Sequence, residues 1–242
     1  RMKLYVIGIG PGEERQRTLW AQGALEECDV LVGYTAYIGL LRETYPEKEL
    51  ISTPMRTEAD RCRRALSLAA SGHTVGMVCS GDAGVYGMAG LIIELAPQFP
   101  PVEVEVVPGV TAATAGAAVL GAPLMNDFAV VSLSDLLTPW EEIEKRLRAA
   151  SSCGFALCLY NPSSRRRAGY LKRACEIILE SRGAETVCGY VRNIGRAGQA
   201  SRILTLRELA EVEADMFTTV FVGTAGTRVV GGKMVTPRGY RL

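Results

Sequence analysis

Residues 3–12 read KLYVIGIGPG, a largely apolar run that passes directly into a turn rich in glycine. The run predicts a buried strand from Lys3 to Ile9, which the glycine-proline-glycine turn ends. Glycines at a strand exit let the backbone approach a ligand closely. The turn is a poor dinucleotide fingerprint, because Glu13 stands at the third glycine position and Pro11 lacks an amide that could hold phosphate. Taken by itself, the stretch leaves a tight strand exit without a ligand as an alternative.

Strands and helices alternate along the rest of the chain, which predicts an α/β architecture. In the first half, Thr18 predicts the start of a helix that runs to about Glu27. In the second half, residues 138–141 predict a capping box with Pro139 at the first helical position. The other predicted elements lie at 30–32, 57–70, 75–79, 85–95, 102–107, 111–120, 128–133, 155–160, 169–180, 186–192, 201–204, 206–212 and 218–222, with a terminal hairpin at 229–235.

The segment 121–126, which reads GAPLMN, is the best candidate for a domain boundary. After it the strand–helix pattern starts again. The sequence therefore predicts two α/β domains of similar size, residues 1–124 and 125–242, each a sheet flanked by helices. A cleft between two such domains is a common place for a ligand.

Two further predicted strands are also followed by segments that contain glycine. Residues 80–87 read SGDAGVYG, and residues 107–113 read VPGVTAA. Ligands of open α/β sheets bind at the carboxyl ends of strands, so Asp82 is suited to accept a hydrogen bond from a ribose hydroxyl or an ammonium group. Asp82 is also suited to be the N-cap of a helix that starts near Val85, which would contribute about 1 kcal/mol. Thr111 can likewise be an N-cap.

Composition excludes several classes of protein. The formal net charge is +1, from 27 Lys and Arg against 26 Asp and Glu, which argues against binding nucleic acid through bulk charge. The chain has neither a G-x-S-x-G elbow nor a P-loop motif, and a Ser-His-Asp triad would depend on its one histidine, His73. The seven cysteines include no C-x-x-C pair, so we expect no metal site.

The cysteines and the N-terminal segment also bear on location. Most cysteines lie in apolar stretches, and reduced thiols fit the cytoplasm. From the residues before the first strand we expect no signal peptide. The uncharged stretch 106–126 is long enough to span a bilayer, but its prolines, glycines and alanines favour a buried turn and helix. We therefore expect a cytoplasmic protein with no membrane and no nucleic acid among its partners.

Taken in order, the motifs resemble those of the tetrapyrrole methylase family over nearly the whole chain. They are GIGPG at 8–12, CDVLVGY at 28–34, SGD at 80–82, PGVTA at 108–112 and TVFVG at 219–223. The resemblance implies the two-domain fold of that family, with the methyl donor S-adenosylmethionine held in the cleft between the domains. It also implies a tetrapyrrole substrate and a homodimer.

Other segments resemble one branch of the family more specifically. They are SGDAGVYGM at 80–88, SLSDLLTP at 132–139, YNP at 160–162 and GYVRNIGR at 189–196. That branch methylates carbon 17 of precorrin-3B or of cobalt-factor III, with contraction of the ring, in cobalamin biosynthesis. Some of its members carry a C-terminal extension with extra chemistry, and since this chain stops at Leu242 we expect no iron–sulfur cluster.

The resemblance also suggests roles for single residues. Because the donor's methyl group is already activated, transfer needs positioning more than acid–base groups. Ring contraction should also need a proton donor or acceptor, for which Asp135, Ser132, Tyr86 and Tyr34 are the candidates. The implied donor contacts, many of them through backbone atoms, are Pro11, Gly81, Asp82, Val85, Thr111, Ala112, Tyr160, Asn161 and Thr219.

Two alternatives stay open. The first is an enzyme of the same fold that methylates another acceptor, such as uroporphyrinogen, a diphthamide precursor or ribosomal RNA. The AGVYG loop at 83–87 and the SLSD segment at 132–135 argue against it. The second is a non-catalytic module in which the glycine turns only bind a nucleotide. Such a module should prefer a nucleotide over S-adenosylhomocysteine.

Overall fold

The computed structural model describes residues 2–54 and 57–242. The chain divides into two compact units, of which the first ends at Thr111 and the second begins at Ala112. The predicted boundary, between residues 124 and 125, lies later in the chain. The units divide earlier because the helix Ala112–Leu120 packs against strands of the second unit.

The first unit is built on a five-stranded sheet. Its elements are β1 (Lys3–Gly8), α1 (Leu19–Glu27), β2 (Val30–Tyr34), α2 (Thr35–Leu41), β3 (Glu49–Thr53), α3 (Glu58–Ala70), β4 (Thr74–Cys79), α4 (Ala89–Leu95) and β5 (Glu103–Val107), with short 3₁₀ turns at Glu14–Gln16 and Ala96–Gln98. The strands pair in the order β3-β2-β4-β1-β5, and all neighbours are parallel. The exits of β1, β4 and β5 therefore meet at one edge of the sheet.

Both faces of this sheet are buried. Val6 of β1 packs in a cluster with Leu66 of α3 and Met77 of β4. The next residue, Ile7, points to the opposite face and packs in a cluster with Leu25 of α1. A parallel sheet covered on both faces reads as a continuous apolar run, because neither side of a strand meets water. This explains why β1 shows no alternation of polar residues.

The second unit contains a five-stranded mixed sheet. Its elements are α5 (Ala112–Leu120), β6 (Gly121–Ala122), β7 (Phe128–Ser132), α6 (Trp140–Ser152), β8 (Ala156–Tyr160), α7 (Tyr170–Leu179), β9 (Val187–Arg192), β10 (Ala200–Thr205), α8 (Leu206–Leu209), β11 (Thr218–Val222), β12 (Arg228–Val230) and β13 (Lys233–Val235). The order is β10-β9-β11-β8-β7, in which β7 and β8 are parallel and the other neighbours antiparallel. The predicted terminal hairpin is confirmed as β12 and β13, which join β6 in a small sheet. The predicted α/β class is confirmed.

Helices also cover both faces of the second sheet. On one face, Leu147 of α6 and Ile178 of α7 pack in a cluster with Val220 of β11. On the other face lies α5, which approaches the sheet closely. A Cβ added to Gly116 would lie 2.9 Å from Cζ of Phe221, so glycine at this position lets the helix and the strand come together. This packing makes α5 part of the second unit.

Of the two helix N-caps predicted from the sequence at 18 and 138–141, the structure confirms the first and not the second. Thr18 caps α1 as predicted, because its hydroxyl accepts a hydrogen bond of 2.9 Å from the third helical amide. The capping box predicted at 138–141 is wrong, since Pro139 occupies the N-cap position and no side chain of the described residues caps α6. A capping box instead begins α8, where Thr205 and Glu208 accept from each other's amides.

The helices are short, and the longest, α3 and α6, have 13 residues each. Among residues 2–54 and 57–242 there is no helix with both the length and the apolar character needed to cross a membrane. The uncharged stretch 106–126 is divided between the end of β5, a turn, α5, β6 and the loop that follows.

The cysteines provide a test of the fold. Cys153 is exposed and the other six cysteines are buried and unpaired. Burial raises the pKa of the Cys28 and Cys62 thiols to about 12 and that of Cys79 to about 11. Since the thiolate is the reactive form, we expect a disulfide reagent to label one thiol rapidly in the native chain and all seven after unfolding. Native Cys153→Ser should show no rapid labelling, and a fast equivalent in that variant would contradict the burial of the others.

Candidate active site

Three loops meet at the carboxyl edge of the first sheet, one after each of β1, β4 and β5. The amide of Gly10 donates to the carbonyl of Gly81 over 3.0 Å, and the amide of Gly81 donates back to Gly10 over 2.8 Å. Just before this pair, the amide of Ile9 donates to the carbonyl of Cys79 over 3.0 Å. The exits of β1 and β4 are therefore tied together beyond the end of the sheet.

Glycine is required where these loops touch. A Cβ on Gly109 would lie 2.2 Å from the carbonyl oxygen of Gly81, and a Cβ on Gly8 would lie 2.7 Å from the same oxygen. Neither atom fits without movement of the backbone. The glycines at these two strand exits thus serve the packing of one loop on another, and they bring three stretches of main chain into one small area.

Asp82 holds the same loops through its carboxylate. Oδ2 accepts hydrogen bonds from the amides of Gly84 at 2.8 Å and Val85 at 3.1 Å, and Oδ1 accepts from the amide of Gly109 at 2.8 Å. The prediction that Asp82 caps a helix starting near Val85 is wrong, because α4 begins only at Ala89. Asp82 instead closes a turn within its own loop and joins that loop to the exit of β5. We call residues 80–88 the Asp82 loop.

The Asp82 loop contains a strained residue. Tyr86 has a φ of +54°, a left-handed conformation that costs a residue with a Cβ roughly 1–2 kcal/mol. The chain turns back on itself here, since a Cβ on the following Gly87 would lie 2.2 Å from the carbonyl oxygen of Ala83. Tyr86 is 54% exposed and Val85 is 37% exposed, whereas Ala83 is fully buried. The loop therefore presents an aliphatic and an aromatic side chain to solvent.

The first unit brings its predicted donor residues together. Pro11 is buried directly after Gly10, in the loop that follows β1. Thr111 is half-buried in the loop that follows β5 and is the last residue of the unit. Together with Gly81, Asp82 and Val85, these residues occupy the three adjoining loops. Within the described ranges 2–54 and 57–242, no group of three or more His, Cys, Asp or Glu side chains could hold a metal ion.

Tyr34 lies at the end of β2, the strand next to β4. Its ring meets that of Tyr37 edge-on, with the centroids 5.2 Å apart, and the guanidinium of Arg61 lies 5.9 Å from its centroid. Arg61 is buried and donates to the carbonyl oxygen of Pro54 over 3.0 Å and to Oγ1 of Thr53 over 2.5 Å. Sequence reasoning missed Arg61, because an arginine in a highly charged helix is typical of a solvated face.

In the second unit, Tyr160 ends β8. Its phenol oxygen accepts a hydrogen bond of 2.6 Å from the amide of Ala113, in the first turn of α5. Ala112 is the first residue of the same helix. Thr219 is buried in β11, the strand that pairs with β8. The donor residues predicted at 112, 160 and 219 thus lie on three adjoining elements.

Asn161 connects a predicted donor residue to a predicted catalytic residue. It follows Tyr160 with a φ of +51°, a conformation that asparagine tolerates better than most residues. Its Nδ2 donates to Oγ of Ser132 over 2.9 Å. Ser132 is the last residue of β7 and pairs with Tyr160 in the sheet. The exits of β7 and β8 are therefore joined by a side-chain hydrogen bond.

Asp135 has a partner that the sequence did not reveal. The hydroxyl of Tyr170, the first residue of α7, donates to Oδ2 of Asp135 over 2.5 Å. The ring of Tyr170 lies against that of Trp140, with the centroids 4.6 Å apart. The hydrogen bond to Asp135 raises the pKa of Tyr170, so the phenol keeps its proton at neutral pH. No local pattern at residue 170 indicates a partner 35 positions earlier.

Comparison with known proteins agrees with these motifs. A family model described as Tetrapyrrole (Corrin/Porphyrin) Methylases matches residues 3–210. A Salmonella typhimurium protein named probable cobalt-factor III C(17)-methyltransferase is 47% identical over 240 residues, which cover 99% of this chain and 100% of that protein. A Sinorhizobium protein named precorrin-3B C(17)-methyltransferase is 39% identical over 231 residues, which cover 94% and 91%.

Solved structures show the same fold. The crystal structure of the methyltransferase CobJ aligns with a TM-score of 0.89 at 39% identity, over 97% of this chain and 99% of that one. A uroporphyrin-III C-methyl transferase from Thermus thermophilus, complexed with S-adenyl homocysteine, aligns with a TM-score of 0.73 at 23% identity, over 91% and 97%. The second likeness concerns the fold alone. With its motifs in family order and the family match spanning most of both units, the chain belongs to the tetrapyrrole (corrin/porphyrin) methylases.

Proposed function

We propose that the chain transfers a methyl group from S-adenosylmethionine to carbon 17 of precorrin-3B or cobalt-factor III, with contraction of the ring, in cobalamin biosynthesis. The observation that carries this proposal is the similarity to the Salmonella cobalt-factor III C(17)-methyltransferase over the full length of both proteins. Such a match covers both units rather than a single motif. The names of that relative and of the Sinorhizobium one differ in whether the acceptor contains cobalt.

We propose that the strand exits of each unit bind the methyl donor. Their chemistry fits a ligand with a nucleoside and an amino-acid part. Gly84 is exposed, so main chain of the Asp82 loop is open to a ligand, and hydroxyl and amide side chains lie at the exits in the second unit. The match to the methylase family model and the relatives named methyltransferases support a methyl donor as the ligand. The proposed contacts are Pro11, Gly81, Asp82, Val85, Thr111, Ala112, Tyr160, Asn161 and Thr219.

Positioning is the main catalytic task of these residues. The donor supplies a methyl group on a positively charged sulfur, already activated for transfer. Holding two reactants in line lowers a barrier by up to about 7–11 kcal/mol. The amides of Gly84, Val85 and Gly109 occupy three of the roughly four hydrogen-bond acceptor positions of the Asp82 carboxylate. Asp82 therefore acts on the donor mainly by fixing the conformation of the loop. We therefore regard Asp82 as a positioning residue.

Ring contraction requires movement of protons, and we propose Asp135 for this role. Its carboxylate is held by the hydroxyl of Tyr170, which keeps its own proton at neutral pH. Ser132 lies three residues earlier, and the side chain of Asn161 orients its hydroxyl. Tyr34 and Tyr86 remain further candidates in the first unit.

We also propose a cytoplasmic homodimer. The homodimer is what the resemblance to the tetrapyrrole methylases implies. The unpaired cysteines support a reducing compartment. Sedimentation of the purified chain tests the dimer.

The proposed reaction can be tested directly. Under anaerobic conditions, with methyl-labelled S-adenosylmethionine, we expect the chain to add one methyl group to precorrin-3B or to cobalt-factor III, as shown by product mass. The acceptor that reacts faster distinguishes the metal-free from the cobalt route. Uroporphyrinogen III, an acceptor of the alternative enzymes of the same fold, is the control and should stay unmodified. Methylation of the control alone would contradict the proposed acceptor but not the family.

Substitution of Asp82 tests the proposed donor site. Asp82→Ala leaves three backbone amides without their acceptor, at about 1 kcal/mol each, so we expect the affinity for S-adenosylhomocysteine to fall at least about tenfold. The melting temperature should fall as well. Asp60→Ala is the matched control, because Asp60 is exposed on α3 of the same unit and should leave both quantities unchanged. Calorimetric affinity equal to wild type in Asp82→Ala would remove Asp82 from the donor site.

Substitution of Asp135 tests its proposed role in proton transfer. Acid–base groups contribute about 100-fold or more to rate, so Asp135→Asn should lower kcat by that order and leave the affinity for S-adenosylhomocysteine near wild type. Tyr170→Phe keeps the ring against Trp140 and loses one hydrogen bond, so we expect a loss of only about fivefold. Steady-state kinetics check both variants. Wild-type kcat in Asp135→Asn would exclude this carboxylate from the chemistry.

A further inference from the structure

Tyr86 is unusual among the residues with left-handed backbone. Within the described part of the chain, the non-glycine residues with positive φ are Tyr86, Asn161 and Asn193, at +54°, +51° and +51°. Asparagine tolerates this region because its short polar side chain bonds locally. A tyrosine is bulkier and adopts this region less often than asparagine, and glycine would adopt the conformation without strain. Tyr86 therefore adopts a left-handed backbone conformation that is unfavourable for a residue with an aromatic side chain.

The surroundings hold Tyr86 in this conformation from both sides. Before it, the Asp82 carboxylate fixes the amide of Val85 over 3.1 Å. After it, Gly87 packs against Ala83, and the amide of Ala89 donates to the carbonyl of Ala83 over 3.1 Å. Strain that rigid neighbours maintain in this way is typical of functional sites.

Exposure is highest in the middle of the Asp82 loop. Gly81 and Ala83 are buried, Asp82 is half-buried, and residues 84–86 are exposed, with Tyr86 at 54%. The proposed donor contacts begin at the buried part of the loop. Methyl transfer brings the second reactant next to the first, so an exposed side chain that follows the proposed donor contact Val85 is suited to meet the acceptor.

We propose that the ring of Tyr86 packs against the face of the tetrapyrrole acceptor and thereby sets the affinity for it. The inference rests on the proposed function. A tetrapyrrole offers a broad, partly conjugated face, and aromatic rings pack on such faces in offset stacks. A ring whose backbone is already fixed loses little freedom on binding. This role needs the ring and not the hydroxyl, which separates it from a role in proton transfer.

Two substitutions at position 86 distinguish these roles. Tyr86→Asn removes the ring and keeps a residue that tolerates the left-handed backbone, so we expect a melting temperature at or above that of wild type. The KM for the acceptor should rise about tenfold, as should the Kd from titration of the acceptor's absorption, with the affinity for S-adenosylhomocysteine within about twofold of wild type. Tyr86→Phe keeps the ring and removes the hydroxyl, so the KM and the Kd for the acceptor should stay within about twofold of wild type, and its kcat reports separately on the hydroxyl.

Ile93→Asn provides the matched control. Ile93 is 55% exposed on α4, in the same unit, and lies outside the proposed site. The variant removes a similar apolar surface and should leave the KM for the acceptor unchanged. An equal rise in Ile93→Asn would show that Tyr86 has no specific role and would overturn the inference.

Other outcomes also decide the matter. Wild-type KM in Tyr86→Asn overturns the inference and leaves the proposed function standing. Loss of S-adenosylhomocysteine affinity with unchanged acceptor affinity would assign the ring to the donor. A fall of kcat at constant KM in Tyr86→Phe would assign the hydroxyl to proton transfer. If the wild-type chain neither binds nor methylates either acceptor, the proposed function is wrong. The inference about Tyr86 is then wrong as well, because it rests on that function.

Discussion

The carboxylate of Asp82 accepts hydrogen bonds from three backbone amides, two in its own loop and one, from Gly109, at the exit of β5. Hydrogen bonds to a charged acceptor are stronger than neutral ones, and an amide left without a partner in a half-buried place is costly. The loop after β1 is joined to the same loop through main chain, because Gly10 pairs with Gly81, the neighbour of Asp82. One side chain therefore joins two strand exits, and the main-chain pair beside it joins the third.

This arrangement suits a reaction whose difficulty lies in positioning. Glycines at 8 and 109 let their loops approach the carbonyl of Gly81 more closely than any side chain would allow, and the result is closely packed main chain at the edge of a parallel sheet. Rigid main chain holds a ligand without reorganising when it binds. The strain at Tyr86 is tolerated for the same reason, because the surrounding hydrogen bonds leave the loop no easier conformation.

The second unit reaches a similar result with side chains. Asn161 joins Ser132, Tyr160 joins the start of α5, and Tyr170 holds Asp135. Each hydrogen bond links the end of a strand, or the loop after it, to another element of the unit. Each uses a residue type that is common in ordinary turns and helix starts. This explains why the motifs could be recognised as a family pattern while the individual partners could not be predicted.

Amino-acid order by itself determined the buried strands, the α/β class, the family and the importance of the glycine-rich exits. The strands, the class and the glycine-rich exits depend on local periodicity and on residue types that suit few conformations, such as glycine between an apolar strand and a helix. The family was indicated by the resemblance of the motifs in their order. Only the tertiary structure decided that Asp82 faces Gly109, 27 positions away, rather than capping a helix, and that α5 belongs with the second sheet. It also decided that Tyr170 holds Asp135 and that Arg61 is buried beside Tyr34. The physical reason is that a carboxylate, a phenol or a guanidinium can satisfy its hydrogen bonds with many partners, and folding selects which partner comes within reach.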